Sequence, residues 1–124
     1  MASGIPSAAC AFESATRGVN HCGYGIVGGQ IPLAAGLAFA SKYRDDGRVT
    51  VCYFGEAAAN QGAFHETLNM ASKWSLPVIF LCENNRYGMG TAFARVSPMP
   101  EVYKRAAAYG IRGEPVDGMD VLKV

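Results

Sequence analysis

VTVCYFGEAAANQGAFHETLNMASKWSLPVIFLCENNRYGMG, running from Val49 to Gly90, holds an apolar run, an acid-bearing turn, a helical segment, a second apolar run and a polar turn. The apolar runs, Val49–Phe54 and Val78–Cys82, have strand length. Neither alternates with polar residues, as expected of parallel strands buried on both faces. Between them Ala63, Leu68, Met70, Ala71 and Trp74 supply an apolar helix stripe, and Pro77 marks its exit. This is a βαβ unit, and it predicts an α/β fold built on an open parallel sheet. Both polar turns, residues 55–58 and 83–88, then fall at the carboxyl ends of their strands, where such sheets bind ligands.

Neighbouring parallel strands bring those turns side by side. Glu56 offers a carboxylate, Asn85 an amide oxygen, and the second turn a backbone carbonyl. An all-oxygen set of this kind suits Mg²⁺, which keeps few protein ligands and takes others from a bound phosphate. A helix opening at Ala58 or Ala59 would aim free N–H groups at the same place, a diphosphate site. The same residue types also serve as ordinary turn and helix caps, so two readings stand side by side.

Outward from this unit, Ile31 to Arg44 reads as a helix with Pro32 in its first turn and Leu33, Ala34, Leu37, Ala38 and Ala40 on its apolar face. Glu101 to Gly110 reads as another, with Val102, Tyr103, Ala106 and Tyr109 on one side and Gly110 as its stop. Gly113 to Gly118 predicts a third strand, and Ser97 reads as a loop serine. Met1 to Cys22 lacks periodicity and is expected to be irregular. Gly23-Tyr24-Gly25-Ile26-Val27-Gly28 spells a dinucleotide fingerprint, but no strand precedes it.

Charged residues make up 17% and hydrophobic ones 50%, so the sheet is covered twice or apolar surface is meant for a partner. A net charge of +1 gives no cause to expect nucleic acid, and no apolar run has the length of a membrane span. Cys10, Cys22, Cys52 and Cys82 show no zinc spacing, and the last two sit in the predicted strands as small buried hydrophobes.

From Gly25 onward the chain resembles, collinearly, the α subunits of thiamine-diphosphate-dependent 2-oxo acid dehydrogenases, pyruvate dehydrogenase above all. The matching stretches are residues 25–30 (GIVGGQ), 58–62 (AANQG), 83–91 (ENNRYGMGT), 103–105 (YKR) and 116–120 (VDGMD). The resemblance implies a truncated three-layer α/β core of the thiamine-diphosphate-binding fold, with residues 1–22 irregular and 23–124 a partial domain. It implies thiamine diphosphate and Mg²⁺ as cofactors. Gly25 and Val27 would meet the aminopyrimidine, Glu56, Asn85 and the Tyr87 carbonyl the metal, and the Ala57 and Ala58 amides the phosphates. The chemistry implied is oxidative decarboxylation and acyl transfer to lipoyl. A β subunit and a lipoyl-bearing acyltransferase would be the partners, in the cytoplasm or else the mitochondrial matrix.

The chain departs from the family's pattern in two adjacent places. Glu56 and Ala57 stand where the motif carries Asp and Gly. The upstream Tyr–Arg pair that approaches the diphosphate has no counterpart, His21 has no assigned role, and the catalytic-loop histidine is expected beyond Val124. The alternative is therefore a catalytically inactive homologue acting as a structural or binding module. In either case the isolated chain is not expected to turn over substrate.

Overall fold

The computed structural model describes residues 25–124; the expectations placed on Met1 to Tyr24 lie outside that range. Helix α1 (Gln30–Arg44) leads to strand β1 (Thr50–Gly55), a 3-10 turn (Glu56–Asn60), helix α2 (Gly62–Lys73) and strand β2 (Val78–Glu83). A short hairpin of β3 (Tyr87–Gly88) and β4 (Thr91–Ala92) follows, then 3-10 segments at Phe93–Arg95 and Val102–Tyr109. Strands β1 and β2 pair in parallel, in register from Thr50 opposite Val78 to Gly55 opposite Glu83. The βαβ unit is confirmed, and with it the α/β class.

Both helices bury residues at the i, i+3, i+4, i+7 spacing of one helical face: Ile31, Ala34, Ala35 and Ala38 on α1, Phe64, Thr67, Leu68 and Ala71 on α2. The stripes predicted from sequence are each rotated from these. Leu33, Met70 and Trp74 are exposed instead, while Ile31 and Phe64 lie in the core with Cys52, Phe54 and Leu68. Small α1 residues let that helix approach β1 and α2 closely. Its end is set by Asp45, whose left-handed backbone (φ 53°) returns its N–H to the Lys42 carbonyl. The Lys42 ammonium then ties the two helix ends together by donating to the Trp74 and Ser75 carbonyls.

Two expectations are corrected. The strands are not covered on both faces among the described residues. Cys52 and Phe54 point into the helices, while Val51, Tyr53 and Ile79 on the opposite face are 46%, 57% and 53% exposed. The runs lack alternation because both faces are apolar, not because both are filled. The strand expected at Gly113–Gly118 does not form, and residues 111–117 pair with no strand. Gly113 lies so close to the Tyr103 carbonyl that a Cβ there would stand 2.2 Å from it, and Pro115 has no N–H for a ladder. The helix expected at 101–109 does form, as a 3-10 helix over Val102–Tyr109, closed as predicted by Gly110 at φ 67°.

The asymmetry of the sheet sets a stability contrast. Leu68→Ala, emptying a site between helix and sheet, is expected to cost about 2–5 kcal/mol. Ile79→Thr on the open face should fall within about 0.5 kcal/mol of wild type. Urea unfolding of the two variants compares them directly. A second expectation concerns the thiols. Burial pushes both Cys52 and Cys82 up to about 11. The unfolded chain therefore loses these protons at lower pH than the native one, and stability falls as pH rises from about 9 to 11. Urea midpoints measured across that window should decline, and less steeply in a Cys52→Ala variant.

Candidate functional site

Parallel pairing delivers the two polar turns to one end of the sheet. Glu56 opens the 3-10 turn directly after β1, and the β3 hairpin packs against that turn. The contact is tight: a Cβ built on Gly88 would lie 2.9 Å from the Ala57 methyl. A third stretch joins them. Gly28, at φ 82°, abuts the Gln61 side chain, with space for a Cβ only 3.1 Å from Gln61 Oε1. The turn at 25–29 is thereby held beside the one at 56–61, while Gly25 and Val27 remain exposed.

Glu56 follows the inward alternation of Cys52 and Phe54 and is only 2% exposed. Its Oε1 has no hydrogen-bond partner, and among the described residues no other buried side-chain polar atom is left so. A buried carboxylate oxygen without a donor is costly, and a cation or a proton must answer it. The carboxylate is felt across the sheet end at Cys82, whose thiol is raised first by burial and second by the Glu56 charge.

Asn85 is exposed, and its Oδ1 accepts from the Tyr87 amide at 2.8 Å; Asn84 does the same for the Arg86 amide at 3.0 Å. These are Asx turns, so the capping reading of Asn85 holds, and its Oδ1 keeps a second lone pair. Arg86 and Met89 adopt positive φ (71° and 55°) to close the loop. Among the described residues no three His, Cys, Asp or Glu side chains cluster, so a metal here would rest on one carboxylate and neutral oxygens.

The helix expected to open at Ala58 or Ala59 opens at Gly62 instead. Ala58 and Ala59 are buried in the 3-10 turn, and Gln61 between turn and helix is extended (φ −80°, ψ 145°). The Ala59 carbonyl accepts from Arg105 Nη1 at 2.5 Å. First-turn amides at Ala57 and Ala58 thus belong to a 3-10 turn, not to a helix N-terminus. Ala57 has no positive φ, so its methyl acts through its contact with Gly88 and not through backbone strain.

Sequence reasoning missed Arg105. Its Nη2 donates to Asn60 Oδ1 at 3.0 Å and Ser97 Oγ at 2.7 Å, with the Met99 carbonyl at 3.5 Å, and its guanidinium lies 5.6 Å from the Phe93 ring centroid. Phe93 and Ser97 are buried, so Ser97 is a packed anchor rather than a free loop serine. The signal was the arginine in YKR, whose distant partners no local pattern displays.

The model of the family described as "Dehydrogenase E1 component" matches residues 12–124. The chain is 53% identical over 102 residues to the "Pyruvate dehydrogenase E1 component subunit alpha" of Rhizobium meliloti, covering 82% of this chain and 29% of that protein. With the same-named protein of Zymomonas mobilis it shares 55% over 102 residues, at the same coverage. With the mitochondrial one of Solanum tuberosum it shares 54% over 102 residues, 82% of this chain and 26% of the relative. The chain thus spans less than a third of the length of these relatives. Among the described residues, no helix is long and apolar enough to cross a membrane.

The contact between the two turns is testable. Gly88→Ala should destabilise by about 1–3 kcal/mol through overpacking. Adding Ala57→Gly should recover most of that loss, whereas Ala57→Gly alone has a small effect. Thermal melts of the two singles and the double close the cycle.

Proposed function

The chain belongs to the dehydrogenase E1 component family, and on that footing we propose that it carries the metal- and diphosphate-anchoring part of a pyruvate dehydrogenase α subunit. The observation that carries this reading is the buried, unpartnered Glu56 carboxylate oxygen at the carboxyl end of β1. It fits Mg²⁺, a hard cation that favours oxygen at about 2.0–2.1 Å. Asn85 Oδ1, already oriented by the Tyr87 amide, has a lone pair to give, and the Tyr87 carbonyl completes the set from this chain. Ala57 stands in the first turn of a 3-10 segment, where a backbone N–H has no partner inside the segment and suits a phosphate oxygen; the Ala58 N–H is the first that the 3-10 pattern takes up. Gly25 and Val27 are exposed on the adjoining turn, and the aminopyrimidine end is proposed to lie against them.

When bound, thiamine diphosphate supplies a thiazolium carbon nucleophile and an electron sink for decarboxylation of a 2-oxo acid. The work of this chain is to hold and to neutralise. Glu56 contributes a negative charge in a place closed to water, where its attraction for a cation is little screened. The Asx turns fix the second strand's ligands before any ligand arrives, so little ordering remains to be done on binding. A β subunit is proposed to supply the remaining half of the pocket, and a lipoyl-bearing acyltransferase to take the product. The setting proposed is the cytoplasm, or else the mitochondrial matrix, since bacterial relatives and mitochondrial ones are similar to the chain in equal measure.

Calorimetry on the chain together with the β subunit tests the reading. Thiamine diphosphate binding should require Mg²⁺ and should be lost in Glu56→Gln. Binding that ignores Mg²⁺, or none at all, favours the structural module instead. The Glu56→Asp, Ala57→Gly double change withdraws the acid by one methylene and removes the methyl facing Gly88. It should strengthen the Mg²⁺-dependent binding, and by more than the two single changes added together, because both act on one small site.

A further inference from the structure

Five N–H donors in a rigid plane let one guanidinium join segments that no single lysine contact can hold. Arg105 uses its donors in that way. One nitrogen bonds the Ala59 carbonyl, and the other bonds Asn60 and Ser97. The first two acceptors belong to the turn that carries Glu56, Ala57 and Ala58. The third belongs to the loop that leaves the Asn85 hairpin, and Phe93, which begins that loop, lies under the guanidinium. Phe93 is itself tied to the hairpin, its N–H donating to the Arg86 carbonyl at 2.9 Å. A continuous path of bonds therefore runs from one half of the site to the other through a side chain that belongs to neither.

We propose that Arg105 is a positioning residue that sets the spacing between the Glu56 turn and the Asn85 hairpin, and through it the affinity of the metal site. The inference rests on the reading of Glu56 and Asn85 as metal ligands given above. A cation held by oxygens from two separate turns is sensitive to their separation, since Mg²⁺ tolerates little departure from octahedral geometry. Arg105 contacts no proposed ligand atom, so its effect must pass through the backbone of the turn and the hairpin. Lysine keeps the charge but lacks the fork and can satisfy only part of the acceptor set. Tyr109 offers a control on the same 3-10 helix: its hydroxyl bonds His65 Nδ1 at 2.7 Å, a partner on α2 and not on either turn.

The experiment is a Mn²⁺ titration followed by electron paramagnetic resonance, on the full chain with the β subunit and saturating thiamine diphosphate. Arg105→Lys should raise the half-saturating Mn²⁺ about 10- to 100-fold, the range for partners that orient metal ligands. Tyr109→Phe, compared at a temperature where both variants have lost equal stability, should leave it at the wild-type value. Where Arg105→Lys does not fold, Asn60→Ala cuts one arm of the bridge and should move the same titration in the same direction. Wild-type affinity in Arg105→Lys, with Mn²⁺ binding lost in Glu56→Gln, overturns the positioning role and leaves the site reading intact. An equal shift in Tyr109→Phe overturns it as well, because any loosening of the helix would then suffice. Unchanged binding in Glu56→Gln removes the site reading and the inference with it.

Discussion

The parallel register between β1 and β2 is the constraint on which everything else hangs. With Gly55 opposite Glu83, the two strands end together, and each chain leaves the sheet through its polar turn at the same edge. An antiparallel pair would have sent Glu56 and Asn85 to opposite ends of the sheet. The register in turn depends on α2, because a parallel pair needs a crossover, and α2 binds to the sheet by placing Phe64 and Leu68 over Phe54. Core packing and site geometry are therefore one problem: whatever loosens Phe64 from Phe54 also displaces the turn that carries Glu56.

Much of this was legible from residues alone, for identifiable reasons. Two apolar runs flanking a helical stretch admit few arrangements, so the βαβ unit and the meeting of its turns followed. Which residues each helix buries did not follow. On α1 apolar residues occur all round, and on α2 exposed Met70 adjoins a polar stripe of Glu66, Asn69 and Lys73; the face that wins on each is the one matching Cys52 and Phe54. The strand expected near Val116 failed because Gly113 seats the backbone against the Tyr103 carbonyl and Pro115 has no N–H to give a ladder. Arg105 was invisible for another reason. Its partners lie 46, 45 and 8 residues away, and a hydrogen-bond hub leaves no periodic trace.

The two departures at Glu56 and Ala57 gain a physical account once the turns are seen together. The longer acid has its carboxylate buried, its charge felt at Cys82, and a methyl stands against Gly88. They are adjacent in sequence and face different neighbours, Glu56 the interior and Ala57 the hairpin. Of the two, the orphaned Glu56 oxygen is the more informative: a packed methyl is comfortable as it stands, whereas an unanswered carboxylate is not.

The open face of the sheet bears on how molecules of this protein associate. Val51, Tyr53 and Ile79 form an apolar strip on what is, among the described residues, a two-stranded sheet, and strands of this composition are templates for further strand addition wherever an edge is left free. Whatever covers that strip, another part of the same protein or a partner, therefore does more than complete the fold. It withdraws a surface on which strands of separate molecules would otherwise meet.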